Sequence, residues 1–247
     1  MDRLIYSSLA AMRTAMARQT TTASNLANAN TTGFRAEMSN ARSLWLGGAG
    51  LATRATASGE VAGADMKAGV VSTTGRDLDI SINGDAMLAV QAENGDEAYT
   101  RRGDFQLSDS GLLTTGDGKP VLGEGGPITL PPADSVSISP DGQVWVVPQG
   151  GDAKSPQAVD RLKLVSAAGS QIAKGMDGLF RVTAGGTLPS DPDAKVTSKS
   201  LEGSNVNSTA ALVDMVEASR AWETQIKMLT TAQDLDKSSA DLMRLPE

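Results

Sequence analysis

The chain has 247 residues, enough for one large domain or two smaller ones and long enough to bury a core. Its formal charge of -7 argues against nucleic acid as a partner, because phosphate recognition needs a basic face. It has no cysteine, which excludes disulfides and thiolate sites, and no histidine, which removes the commonest general base and metal ligand.

With three Trp, two Tyr and three Phe, burial must come mostly from Ala, Val, Leu and Ile. No apolar run is long enough to span a bilayer. The start, Met1-Asp2-Arg3 followed by Arg13 and Arg18, does not read as a cleavable signal peptide, which needs a continuous apolar stretch. The expectation is a cytoplasmic protein, or one exported by a route that reads no such signal.

Ile5, Leu9, Met12, Met16, Gln19, Ala23 and Leu26 step by three and four, a heptad seam broken only by Gln19. They predict a helix from about Leu4 to about Ala29. Asn30-Thr31-Thr32-Gly33 ends it, with Gly33 in the left-handed backbone that terminates helices. Residues 47–76, rich in Gly, Ala, Ser and Thr, read as an extended connector with little core of its own.

From Asp77 the period becomes two. Leu78, Ile80 and Ile82 alternate with polar residues, Asn83-Gly84 turns, and Ala86, Leu88 and Val90 alternate again. Asn94-Gly95, Ser110-Gly111 and Asp141-Gly142 punctuate further short strands at Ala98–Arg101, Phe105–Leu107, Leu112–Thr114, Val121-Leu122, Val136–Ile138, Val144–Val147, Leu162–Val165 and Leu179–Val182. This predicts an all-β domain. Asp77 and Asp79, alternating with Leu78 and Ile80, read as the wet face of a strand rather than as a cation site with Asp85. Arg101-Arg102 reads as a solvated basic spot. No Ser-x-x-Lys spacing supplies a serine nucleophile with a base.

The end of the chain returns to helical spacing. After Leu201–Ser208, apolar or small residues recur at Leu212, Met215, Ser219, Trp222, Ile226, Leu229, Ala232, Leu235, Ser239 and Leu242, with Gln225, Lys227 and Asp234 off the stripe. Asn207 or Ser208 caps the start. Residues 1–46 carry five arginines against two acids, and residues 200–247 four basic residues against eight acidic ones, which favours pairing of the two ends. The expected fold is α+β: long N- and C-terminal helices paired as a coiled-coil-like layer, with a central all-β domain. The expected parts are 1–46 and 200–247 as the terminal helical assembly domain, 47–76 as connector and 77–199 as the β domain.

These residues resemble a known family. Ser24-Asn25-Leu26-Ala27-Asn28-Ala29-Asn30-Thr31-Thr32-Gly33-Phe34-Arg35 is similar to the N-terminal signature of bacterial flagellar axial proteins, the rod, hook and hook-associated components. Leu78–Val90 with Tyr99–Phe105 resembles the middle of rod and hook proteins, and Leu201–Asn207 with Arg220, Glu223, Lys227 and Thr231-Ala232 their C-terminal signature. Met1–Tyr6 and Leu201–Asn205 look most like the proximal-rod branch, and Met87-Leu88, standing where the distal branch usually has two aromatics, supports that branch over the alternative of a distal-rod or hook-type paralogue. The resemblance implies a structural subunit, not an enzyme, with no cofactor and no bound metal. It implies polymerisation with itself and with proximal and distal rod subunits, and export through the flagellar type III apparatus without membrane insertion. The assembly interface so implied comprises Ile5, Leu9, Met12, Met16, Leu26, Asn28, Gly33, Phe34, Asn205, Asn207, Leu212, Met215, Trp222, Ile226, Leu229 and Leu235. Two other classes compete: a cell-wall carbohydrate-binding β module, which needs a pocket of converging aromatics, and a hydrolase with paired carboxylates, which needs a cleft.

Overall fold

A computed structural model describes residues 2–45, 55–151 and 155–243. The chain forms two compact units. One comprises Met1–Ala27, Glu37–Gly63 and Asn207–Glu247, the other Asn28–Ala36 and Ala64–Val206.

The first unit is built on two helices, α1 (Asp2–Ala27) and α2 (Ser208–Met243), and a two-stranded sheet of β1 (Glu37–Trp45) and β2 (Ala55–Ala64). Residues 55–64, inside the stretch read as connector, are therefore a strand. Composition is a weak guide there, because backbone pairing alone can organise Ala, Thr, Ser and Gly. α1 ends at Ala27, two residues before the expected boundary, where the Thr31 N–H turns back onto the Asn28 carbonyl at 3.1 Å. The Asn25 side chain ties α1 to β1 reciprocally, donating to the Glu37 carbonyl (2.9 Å) and accepting from its N–H (2.7 Å). α2 is capped by Asn207, whose Oδ1 accepts the Ala210 N–H at 3.1 Å.

Arg18 pairs with Asp214 at 3.3 Å, and a groove of about 580 Å³ is lined by Ser8 and Ala11 together with Leu229 and Ala232. Early α1 thus lies beside late α2, and the helices run antiparallel. The most covered row of α2 is Ala211, Met215, Ala218, Trp222, Gln225, Leu229 and Ala232. It steps by four and three, but it is not quite the row of the sequence. Ala211, Ala218 and Gln225 replace Leu212, Ser219 and Ile226, and Gln225, expected off the stripe, is half-buried. Met215, Trp222, Leu229 and Ala232 belong to both rows; the small Ala211 and Ala218 take the covered places between them, and Leu212 and Ile226 fall to the exposed flank.

The second unit carries β3 (Val71–Thr73), β4 (Ile80–Ile82), β5 (Ala86–Gln91), β6 (Glu97–Thr100), β7 (Phe105–Leu107), β8 (Leu113–Thr115), β9 (Leu122–Gly123) and β10 (Gly126–Pro127). β11 (Ala133–Ile138), β12 (Gln143–Pro148), β13 (Gln157–Arg161), β14 (Leu164–Ser166), β15 (Ile172–Lys174), β16 (Phe180–Val182), β17 (Val196–Ser198) and β18 (Ser200–Glu202) follow. The largest sheet has the order β14-β5-β6-β16-β15, and a three-stranded sheet has the order β11-β12-β13. β4 pairs with β17, and β3 with β18. Only Lys199, at φ +58°, separates β17 from β18, so one left-handed residue passes the chain from one pair to the next.

β5 is buried on both faces. Leu88 and Val90 join a cluster with Ile80, Phe105, Leu113 and Leu164, while Met87 and Ala89 join Tyr99, Val165, Phe180 and Leu188. The wet strand face expected around Asp79 is not there. Ser81 lies in the interior, and Asp79 is 4% exposed, accepting from the Thr74 hydroxyl (2.7 Å) and pairing with Arg76 (3.4 Å). Flanking segments cover this strand on both faces, a placement that local alternation does not encode.

Candidate functional site

Three charged side chains of the β unit, Arg35, Arg101 and Glu202, meet in its interior. β18 holds Ser200 and Glu202 on its covered face, two residues apart, as the pleat requires. The Glu202 carboxylate is 1% exposed. Its Oε1 accepts from Arg35 Nη2 (2.7 Å) and from the Gly69 N–H (2.8 Å). Its Oε2 accepts from Arg101 Nε (2.9 Å) and Nη2 (2.6 Å), and its backbone carbonyl from the Gly33 N–H (2.7 Å). Arg101, 3% exposed, directs its other bonds to the carbonyls of Ile82 (2.7 Å), Gly84 (2.6 Å) and Ala86 (2.7 Å). All five of its N–H donors are used. Arg35 is different. Glu202 is its side chain's one hydrogen-bond partner among the described residues, and its buried Nε and Nη1 have none. Burial pulls the Arg35 guanidinium below its ordinary pKa, and the bond to Glu202 opposes that.

Two glycines make this convergence sterically possible. Gly33 has φ +66°, and a Cβ there would lie 2.5 Å from the carbonyl carbon of Arg101. A Cβ on Gly69 would lie 2.1 Å from the Gly203 carbonyl oxygen. Asn205 ties the same segments outside the charges. Its Nδ2 donates to the carbonyls of Asp65 (2.8 Å) and Lys67 (2.9 Å), its Oδ1 accepts from the Ala36 N–H (2.7 Å), and its own N–H reaches the Phe34 carbonyl (3.3 Å). Lys174 Nζ sits 3.6 Å above the Phe34 ring and donates to the Arg35 carbonyl.

The arrangement holds chain segments. Four donors occupy the two Glu202 oxygens, so this carboxylate is not free to act as a base. Removing one partner of such a buried cluster costs about 3–5 kcal/mol, because it strands the remaining charge.

The expected interface residues fall into three groups. Asn28, Gly33, Phe34 and Asn205 form bonds within the β unit, and Asn207 caps α2. Met12, Leu26, Met215, Trp222 and Leu229 are half-buried in the helical unit. Leu9, Met16, Leu212, Ile226 and Leu235 are exposed. Ile5 lies in α1, and its side chain falls outside the described residues. The basic spot Arg101-Arg102 is not solvated as expected. Arg101 is interior, and Arg102 forms a bidentate pair with Asp104 (2.7 and 2.9 Å). The clasp of Arg35, Arg101 and Glu202 went unread because its members lie far apart in sequence. The available signal was a charged residue inside each of the three recognisable motifs.

Fold and clasp together define a structural module, a β body that binds its own incoming and outgoing arms at one buried charge cluster. Residues 5–35 match the model of the flagella basal body rod protein family. Residues 81–146 match the flagellar hook protein FlgE/F/G D1 domain, and residues 197–242 the C-terminal domain of flagellar basal body rod FlgEFG proteins. Each matched segment contributes one member of the clasp. The flagellar basal-body rod protein FlgF of Escherichia coli strain K12 is 41% identical over 240 residues, covering 95% of each chain. FlgF of Salmonella typhimurium is 39% identical over 99% of this chain and 100% of its own, and FlgF of Caulobacter vibrioides 33% identical over 98% of both. The chain belongs to the flagellar basal-body rod protein family.

Proposed function

We propose that this protein is a structural subunit of the bacterial flagellar rod, of the proximal type, and no enzyme. It polymerises through its terminal helices, packed as a coiled-coil-like layer, into the hollow shaft that crosses the periplasm between motor and hook. Its partners are further copies of itself, the other rod subunits of proximal and distal type, and the flagellar export apparatus. The observation that carries this reading is the apolar surface left on the paired helices. Leu9 and Met16 on α1, and Leu212, Val213, Val216, Ile226, Met228 and Leu235 on α2, are exposed after the two helices have met. Fully burying one such side chain contributes about 1.5–3 kcal/mol, so neighbouring subunits gain substantially by covering the rows. The proximal assignment is supported by the relatives named FlgF and by the motif Leu201-Glu202-Gly203-Ser204-Asn205.

The test is deletion of the gene followed by electron microscopy of isolated basal bodies. Basal bodies arrested at a short rod, restored by the wild-type gene, are the expected result. Full-length rods and normal swimming in the deletion would overturn the reading.

A further inference from the structure

We propose that the Glu202 cluster is a charge latch, through which the two arms of the β unit, residues 28–36 and 199–206, open and close as one cooperative segment separate from the β core. Three observations lead there.

The first is where the hydrophobic core lies. Every fully buried apolar member of both clusters lies between Ile80 and Val196, so the core is complete without either arm. The second is how the arms are bonded. Gly33 donates to Glu202, Ala36 to Asn205, Asn205 to Phe34, and Gly69 to Glu202. The first three bonds join the two arms to each other, and the fourth joins Glu202 to Gly69 in the neighbouring segment 65–70, whose Asp65 and Lys67 carbonyls also accept from Asn205.

The third is an asymmetry between the two arginines. Arg101 is seated on core carbonyls at Ile82, Gly84 and Ala86 and keeps them whatever happens to Glu202. The Arg35 side chain has Glu202 and no other hydrogen-bond partner among the described residues. Once the Glu202 charge is gone, Arg35 is a buried cation facing a second cation, and water solvates it far better than the interior does. Arg101 is then the fixed part of the latch, Glu202 the bolt and Arg35 the moving part. Residues 28–36 follow α1 in the chain and residues 199–206 precede α2, so the latch decides whether both helices are tethered through ordered or through slack segments. This device is independent of the shaft reading, since it concerns one subunit in solution.

Amide hydrogen exchange on the full-length chain tests it. In the wild type, Gly33, Ala36, Gly69, Gly203 and Asn205 are expected to share one protection factor, lower than that of core amides such as Ala89, Leu113 and Leu162. Glu202→Gln keeps the shape and removes the charge. It is expected to speed all five together by about a hundredfold or more, leaving the core amides within about threefold of wild type. Arg35→Met removes the cation that needs the bolt. Adding Glu202→Gln to that background is expected to speed the five by less than about tenfold. Independent exchange of the five amides in the wild type would overturn the proposal. So would core amides that accelerate as much as the arms in Glu202→Gln, and so would an equally large effect of that change with and without Arg35.

Discussion

The phenol of Tyr99 shows what one buried polar group contributes in this chain. Its oxygen accepts the Leu188 N–H at 2.6 Å and its hydroxyl donates to Glu97 at 3.0 Å, in a site with no solvent access to the side chain. Burial pushes its pKa up to about 12. An unfolded tyrosine titrates near 10, so the folded state holds the proton more tightly. That preference is fully present below about pH 10 and is lost as the pH rises toward 12, so the wild type is expected to lose about 3 kcal/mol across that window through this group. Urea unfolding at several pH values should show a steeper decline for wild type than for Tyr99→Phe, and parallel curves would remove the assignment. Lys199 illustrates strain instead. A left-handed non-glycine residue costs about 1–2 kcal/mol, and glycine gives back about 0.5–1 in unfolded-state entropy. Its ion pair with Asp77 is half exposed on both sides and contributes little. Lys199→Gly should therefore stabilise the β unit by about 0.5–1 kcal/mol in the same assay, and a lower midpoint would show that the kink is not strained. Neither residue announced itself in the sequence. A side chain's burial is decided by segments tens of residues away, and Asp79, read as wet, is interior for that reason.

Helices and turns were far more legible, because their signals are local. Asn94-Gly95 and Asp141-Gly142 marked the β5-β6 and β11-β12 hairpins, and three-four spacing located both helices. The same spacing did not identify which row of α2 makes the contact. Two rows one residue apart both fit a heptad, one bulky (Leu212, Ile226) and one small (Ala211, Ala218), and hydrophobicity alone favours the bulky one. The packed pair covers Ala211 and Ala218 and leaves Leu212 and Ile226 exposed. Ala218 is buried and Ser219 exposed, so two neighbouring leucine substitutions separate the alternatives. Ala218→Leu is expected to cost about 1–3 kcal/mol by overpacking. Ser219→Leu is expected to stay within about 0.5 kcal/mol of wild type. Thermal unfolding followed by the helical circular dichroism signal measures both, and the opposite order would restore the bulky seam.

At the scale of the whole molecule, one helix face is already used and another is left over. Trp222 lies in the contact row and is half-buried, whereas Ile226, one turn later, is 40% exposed. On the shaft reading these neighbours do different work. Trp222→Ala removes packing that the lone subunit makes, so it should weaken the subunit as well as the assembly. Ile226→Ala removes side-chain surface that becomes covered only when a neighbouring subunit arrives. The lone subunit should then melt within about a degree of wild type, since an exposed substitution shifts stability by less than about 0.5 kcal/mol. In a polymer every subunit repeats the loss. At about 25 cal/mol for each Å² left uncovered, a deficit small in one contact accumulates along the shaft. Ile226→Ala, and more strongly Leu212→Ala with Ile226→Ala, should leave export and subunit melting unchanged while reducing basal-body yield and swimming. The measurement pairs calorimetry of purified subunit with counts of complete basal bodies. If the double substitution lowers subunit melting as far as Trp222→Ala does, those side chains belong to the protomer's own packing, and the flanking rows are not the surface on which the shaft is built.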